Sequence, residues 1–305
     1  MAAAGEARRL RGGWRCMSTL VVLAAGVSAC GGSPASGTAS RSIVDGTMQV
    51  DGFTRAYRVY TPPGVTAAHP GPLLLALHGG NQYGDAMEQL TGFDSLAEAD
   101  HFIVAYPNGH GQTWNAGNCC GNPNVSSDNE VDFIDALIVH LEAGGLVDRS
   151  RVYATGFSAG AAMAYTLACR LANRIAAIAV MSGTMDPDTC HPQMPVAVME
   201  IHGTADPELL YGGGGIGALT GKPLAATPDI VATWASLDSC PDAPATTTNG
   251  DVQTTRWTRC SGGTSVMLNT VQSGDHNWYG PQLSGADASL DATQVIWQFV
   301  SSFRR

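Results

Sequence analysis

The chain is poor in positive charge. It holds one lysine, Lys222, has no basic run after residue 42, and carries a formal net charge of −10. Nucleic-acid binding needs clustered Lys and Arg to neutralise phosphates, so that class is excluded. An uncharged substrate suits this surface better than a polyanion. Charged residues of both signs make up only 14%, against 44% hydrophobic residues. One sizeable core can therefore form, and disorder is expected only near the start. The metal signatures Cys-x-x-Cys and His-Glu-x-x-His are both missing, so no metal site is expected. No internal repeat is visible, and large single α/β domains reach this length.

What is present begins with an export signal. Arg8, Arg9, Arg11 and Arg15 form a positive segment, and residues 20–27 form an apolar one too short to span a bilayer. Then follow Val27-Ser28-Ala29-Cys30 and a Gly/Ser-rich stretch. Small residues before a cysteine resemble a bacterial lipoprotein signal, in which cleavage precedes Cys30 and its thiol is lipidated. The alternative is an ordinary secretory cleavage site with an incidental cysteine. The expected organisation is a signal peptide at 1–29, a flexible tether at 30–42 and a catalytic domain at 43–305. The product is an exported protein, at the cell surface or secreted, touching membrane only through a lipid at Cys30. Oligomeric state is not legible.

Cysteine use agrees with export. Setting aside Cys16 and Cys30 leaves Cys119, Cys120, Cys169, Cys190, Cys240 and Cys260. An even number in an exported chain suggests three disulfides, and counting alone leaves their pairing open.

Apolar runs alternate with helical patterns along the rest. Residues 55–60 alternate as a strand should. Residues 72–77, 102–106, 152–154, 175–181 and 195–201 are continuous apolar runs, the mark of strands buried on both faces. Residues 131–141, 161–172, 228–239 and 292–303 read as helices, and 252–271 as one or two strands. This alternation predicts a mostly parallel central sheet with helices on both faces, whose sites lie beyond the carboxyl ends of the strands.

One short stretch gives that sheet a chemistry. Gly156-Phe157-Ser158-Ala159-Gly160 has the pattern Gly-x-Ser-x-Gly, set between an apolar run and an Ala-rich helix. Strand, tight turn and helix lift the serine hydroxyl off the sheet, and the flanking glycines allow close backbone passage. A helix N-cap serine is the plainer reading of the position. A nucleophilic serine needs a base and an orienting carboxylate, in the order Ser, Asp/Glu, His for this topology. After Ser158 the histidines are His191, His202 and His276. His202 ends an apolar strand and reads as a satisfied structural residue, and His191 sits beside Cys190 in a Pro-rich turn. His276 lies in a loop past a predicted strand and is the expected base. Asp206, on the loop after an apolar strand, is the expected acid. Asp229, Asp238, Asp242 and Asp251 read as solvated surface, and Asp275 adjoins His276 but points elsewhere if extended. The oxyanion is expected to meet the Ala159 amide and an amide from Gly80 or Asn81, after His78-Gly79. Trp114 and Trp278 are candidates to line a substrate groove. The formal Gly-x-Gly-x-x-Gly at 212–217 follows no strong strand, and it reads as a mobile loop rather than a dinucleotide site.

Together these motifs resemble a family. LHGG at 77–80, YPNG at 106–109, WNAGNCCG at 114–121 and VDF at 131–133 come first, followed by GFSAG at 156–160, HGTADP at 202–207 and GDHNWYG at 274–280. In this order they are similar to the polyhydroxybutyrate depolymerases and feruloyl or acetylxylan esterases of the α/β-hydrolase superfamily. The resemblance implies Ser158, Asp206 and His276 as a triad, no cofactor, and an ester substrate, small or polymeric. It also implies that Cys240 pairs with Cys260, and that Cys119 and Cys120 split between Cys169 and Cys190. Asp132-Phe133 stands where the family usually has two acids, and Tyr279 where it usually has proline. The function expected is a carboxylic-ester hydrolase working through an acyl-serine. The alternatives are an acyltransferase on the same fold and a non-catalytic surface lipoprotein.

Overall fold

The continuous apolar runs form the centre of a ten-stranded sheet. A computed structural model describes residues 42–116, 119–121, 126–217, 219, 221–280 and 290–305. The signal peptide, Cys30 and the tether up to residue 41 lie outside the described residues. Residue 42 does not belong to a tether: it opens the first strand.

The strands are β1 (Ser42–Val50), β2 (Phe53–Thr61), β3 (Gly71–Leu77), β4 (Ile103–Pro107), β5 (Val147–Phe157), β6 (Ala177–Met181), β7 (Ala197–Gly203), β8 (Ala245–Asn249), β9 (Val252–Trp257) and β10 (Val266–Val271). Across the sheet they run β1-β2-β4-β3-β5-β6-β7-β10-β9-β8. The block from β4 to β10 is parallel throughout. The margins, β1 and β2 on one side and β8 and β9 on the other, are antiparallel. Every residue of β3, β4, β6 and β7 is buried, because helices cover both faces of the parallel part.

Those helices are α1 (Gly84–Thr91), α2 (Phe93–Asp100), α3 (Ser127–Ala143), α4 (Ala159–Arg170), α5 (Thr227–Leu237) and α6 (Ala292–Val300). On one face Phe133 and Leu137 of α3, Met163 and Leu167 of α4, and Trp234 of α5 share a core. On the other, Met87 of α1, Phe93 of α2, and Ile296 and Trp297 of α6 share a second core. Among the described residues no helix is long and apolar enough to cross a membrane. This is the α/β-hydrolase fold.

Three details depart from the sequence expectations, and one agrees with them. The 252–271 region holds β9 and β10, and β8 precedes them as an antiparallel edge. Asp238 is not solvated surface. It is fully buried, accepting the Val196 amide at 3.2 Å and the Thr264 hydroxyl at 2.7 Å. Burial raises its pKa to about 6, against the opposing pull of those hydrogen bonds. The disulfides also differ. Cys240 joins Cys260, but Cys169 joins Cys190, and Cys119 joins Cys120. The end of α4 brings the Cys169 Cα to 5.3 Å from that of Cys190, an ordinary bridging distance, which leaves the adjacent pair to close on itself. Finally, residues 212–217 follow no strand and open no helix, since α5 begins only at Thr227.

Candidate functional site

The Gly-x-Ser-x-Gly stretch spans the junction of β5 and α4. Ser158 has φ 56° and ψ −117°, a conformation that L residues rarely adopt. Its amide donates to the Met181 carbonyl at 3.0 Å and its carbonyl accepts from Ala162 at 3.1 Å, so both neighbours hold the strained turn. The glycines are forced by contact. A Cβ at Gly156 would collide with the Gly160 carbonyl, and one at Gly160 with the Leu77 carbonyl. Helix α4 therefore starts directly against the end of β3.

That close approach brings the start of α4 beside the turn after β3. Ala159 opens α4, where the first amides have no intrahelical acceptor. Gly80 and Asn81 are exposed in the turn after β3, and a Cβ on neighbouring Gly79 would lie 3.4 Å from the Phe157 ring. The turn is anchored by His78, whose importance the sequence reading missed. His78 Nε2 accepts the Gly109 amide at 2.9 Å, so Nδ1 carries the proton and donates to the Gly79 carbonyl at 2.8 Å. Burial lowers its pKa to about 4 and keeps the ring neutral. The signal available in the sequence was its place at the end of a strand buried on both faces.

Trp114 and Trp278 do not line a groove. Both indoles are buried, because each N–H finds an acceptor inside the protein. Trp114 Nε1 donates to the His78 carbonyl at 2.9 Å and its ring packs on His78. Trp278 Nε1 donates to the Thr293 hydroxyl at 3.2 Å, and its ring meets Phe157 edge-on. They support the turn and the elbow from behind.

The loops after β7 and β10 are stitched together. Thr204 donates to the Val271 carbonyl, Ala205 to the Gly274 carbonyl, and the Ser273 amide to the Thr204 hydroxyl, all within 2.9 Å. This brings Asp206 and His276 into contact, with Nδ1 2.7 Å from Oδ2. The other carboxylate oxygen, Oδ1, accepts the amides of Glu208 at 2.9 Å and Leu209 at 2.8 Å. Burial would raise the Asp206 pKa, but the hydrogen bonds from His202, His276 and Leu209 hold it well below the usual carboxylate range. Asp275 turns away from His276. Its carboxylate accepts from Asn277, and its carbonyl accepts the Tyr279 hydroxyl at 2.7 Å. Tyr279, in the usual place of proline, thus ties down the His276 loop.

The His276 ring lies 4.8 Å from the Phe157 ring, next to Ser158. Its Nε2 lies 3.7 Å from the carboxylate of Glu208, an exposed side chain. The Ser158 hydroxyl makes no hydrogen bond to His276 among the described residues; such contacts commonly tighten only when substrate binds. Among those residues no cluster of His, Cys, Asp or Glu could hold a metal ion.

A sequence model described as Esterase PHB depolymerase matches residues 55–262. The chain belongs to this family. As a family member it is a carboxylic ester hydrolase. The match ends before His276, so that residue rests on the contacts above. NocK of Nocardia uniformis subsp. tsuyamanensis is 31% identical over 84% of this chain and 78% of its own length. Feruloyl esterase B of Piromyces equi is 31% identical over 70% of this chain, but only 41% of its own length is covered. Feruloyl esterase C of Emericella nidulans is 34% identical over 57% of this chain and 62% of its own. Among solved structures, an acetyl xylan esterase from Aspergillus awamori superposes with a TM-score of 0.61 at 17% identity, covering 85% of this chain and 99% of that one. A ferulic acid esterase from Anaeromyces mucronatus gives 0.54 at 13% identity, covering 89% and 92%. At such identities these structures speak for the shared fold alone.

Proposed function

We propose that this esterase hydrolyses feruloyl or acetyl esters through an acyl-serine intermediate, with Ser158 as nucleophile, His276 as base and Asp206 as orienting acid. The observation that carries the reading is the 2.7 Å contact between Asp206 and His276 Nδ1, beside the strained turn that presents Ser158. The substrate class is supported by the relatives named feruloyl esterase.

The Ser158 Oγ attacks the ester carbonyl while His276 Nε2 takes its proton. Negative charge collects on the carbonyl oxygen, where the amides of Ala159 and of the Gly80–Asn81 turn receive it. The tetrahedral species collapses, the C–O bond breaks, and the leaving alcohol takes the proton back from His276. Water then enters and attacks the acyl carbon while His276 takes its proton; the bond to Ser158 Oγ breaks, the acid leaves, and His276 returns the proton to Ser158 Oγ. Asp206 holds Nδ1–H throughout, so that Nε2 is the nitrogen free to accept. A neutral substrate needs no basic surface to bind, in keeping with the net charge of −10.

Export of the chain is supported by its disulfides, which persist in oxidising compartments, and by the Arg-rich start followed by residues 20–27. Lipidation at Cys30 belongs to the same reading.

Turnover of p-nitrophenyl acetate, methyl ferulate, acetylated xylan and polyhydroxybutyrate by the purified protein tests the substrate class. The feruloyl ester and the two acetyl esters are expected to be cleaved with kcat/KM well above that for polyhydroxybutyrate. Cleavage of polyhydroxybutyrate alone would overturn the substrate assignment.

A further inference from the structure

The Asp206 carboxylate serves two histidines. Oδ2 lies 2.7 Å from His276 Nδ1 and 3.3 Å from His202 Nε2. His202 sits at the end of β7, and its side chain is 1% exposed. Its Nε2 also points at the Leu209 carbonyl, 2.8 Å away. A carbonyl and a carboxylate only accept, so Nε2 carries a proton. Nδ1 lies 3.1 Å from Glu200 Oε1 and 3.1 Å from the Thr227 hydroxyl.

Glu200 decides the state of Nδ1. Its side chain is as buried as that of His202. Oε1 accepts the Gly183 amide at 2.8 Å, and Oε2 accepts the Tyr165 hydroxyl at 2.9 Å. Both oxygens are thus engaged by donors, and Oε1 also faces His202 Nδ1. A buried carboxylate is best met by charged or donating partners, and Nδ1 is placed to be a third beside the Gly183 amide and the Tyr165 hydroxyl.

We propose that His202 is a positioning residue of this site, a buried imidazolium clamped between Glu200 and Asp206 that fixes the Asp206 carboxylate and opposes charging of His276. The proposal rests on the triad reading above. Burial alone would lower the pKa of His202, yet its hydrogen bonds to Asp206 and Glu200 raise it to about 9, in keeping with a charged ring at neutral pH.

Several groups of the described residues face His202. Glu200 faces it from its own strand, Asp206 and the Leu209 carbonyl from the following loop, and Thr227 from the start of α5. The Tyr211 ring packs edge-on at 5.8 Å, with its hydroxyl held by Thr270 of β10. Tyr165 of α4 acts through Glu200. His276 is faced by Asp206 and, at 3.7 Å, by Glu208. The positive charge at His202 is therefore the one cation that His276 meets across Asp206 among the described residues. It partly neutralises the anion that would otherwise pull a proton onto His276.

The test compares pH profiles of kcat/KM on a soluble aryl ester for the wild type, His202→Gln and Ser158→Ala. Glutamine can still donate to Asp206 or Leu209 but carries no charge. The acidic limb, which reports protonation of the base, is expected to move up by about one pH unit in His202→Gln. kcat is expected to fall about tenfold with KM little changed, as for a group that orients rather than binds. Imidazole ¹⁵N spectra of the wild type at pH 8 supply a second readout that needs no variant at position 202. They are expected to show one ring with both nitrogens protonated, losing one proton in Glu200→Gln. An unchanged acidic limb in folded His202→Gln, or no doubly protonated ring at pH 8, overturns the proposal. Full turnover by Ser158→Ala overturns the triad reading instead, and the spectra still judge the state of His202 by themselves.

Discussion

The two sides of Asp206 are built from the same kind of ring in opposite settings. On the inner side His202 is sealed in, with each nitrogen facing acceptors or a hydroxyl of the protein itself. On the outer side His276 gives Nδ1 to Asp206, while its Nε2 makes no hydrogen bond among the described residues and has the exposed Glu208 carboxylate 3.7 Å away. A histidine with both nitrogens engaged can hold a charge, but it has no nitrogen left to exchange a proton with a substrate. A histidine with one nitrogen engaged and one open can do so. The role of each ring is set by what its second nitrogen meets, and the shared carboxylate makes the comparison direct.

The largest test of the outer side is removal of its nucleophile. Ser158→Ala is expected to reduce ester turnover by about 10⁴-fold or more, with an unchanged melting temperature, in assays of protein freed from contaminating esterase. Asp206→Asn strikes both sides at once. The amide favours the wrong His276 tautomer, and a loss near 10⁴-fold in kcat/KM is expected. It also strands the His202 imidazolium, so the melting temperature is expected to fall as well, which Ser158→Ala does not do.

The inner side alone is addressed by pH. The folded pKa of His202 is raised from 6.5 to about 9, so its contribution to stability is complete below about pH 6.5 and is lost as pH rises through about 9. Melting temperature measured from pH 7 to 10 is expected to fall across this window, and to fall less steeply in His202→Gln. Replacing Cys240 and Cys260 by serine touches neither side. Opening that loop is expected to cost about 3 kcal/mol in chemical denaturation while leaving the pH profile of turnover in place. The smallest effect is assigned to Asp275→Asn. Its carboxylate faces Asn277 rather than His276, so kcat/KM is expected to change by less than about tenfold. A crippled Asp275 variant beside an active Asp206 variant would reverse the outer side of the comparison.

What the sequence determined by itself is what local physics dictates. The strands of the parallel block are legible because burial on both faces demands unbroken apolar runs, as in 72–77 and 195–201. The turn at Ser158 is legible because only glycine tolerates the approach of Gly156 to Gly160 and of Gly160 to Leu77. Strand β1 is not legible because it lies at the sheet edge, where most of its residues stay exposed. The short helices α1 and α2 carry too few turns for a clear period.

Tertiary structure decided whatever depends on which distant segments meet. It paired Cys169 with Cys190, 21 positions apart in the chain, by bringing their Cα atoms to 5.3 Å, since a disulfide depends on that spacing and not on order along the chain. It buried Trp114, Trp278 and Asp238 by giving each an internal hydrogen-bond partner. It also stitched the β7 and β10 loops so that one carboxylate reaches two histidines. Residue types can propose an acid and a base. Which nitrogen stays open to a substrate is fixed only when the folded chain fills the space around the others.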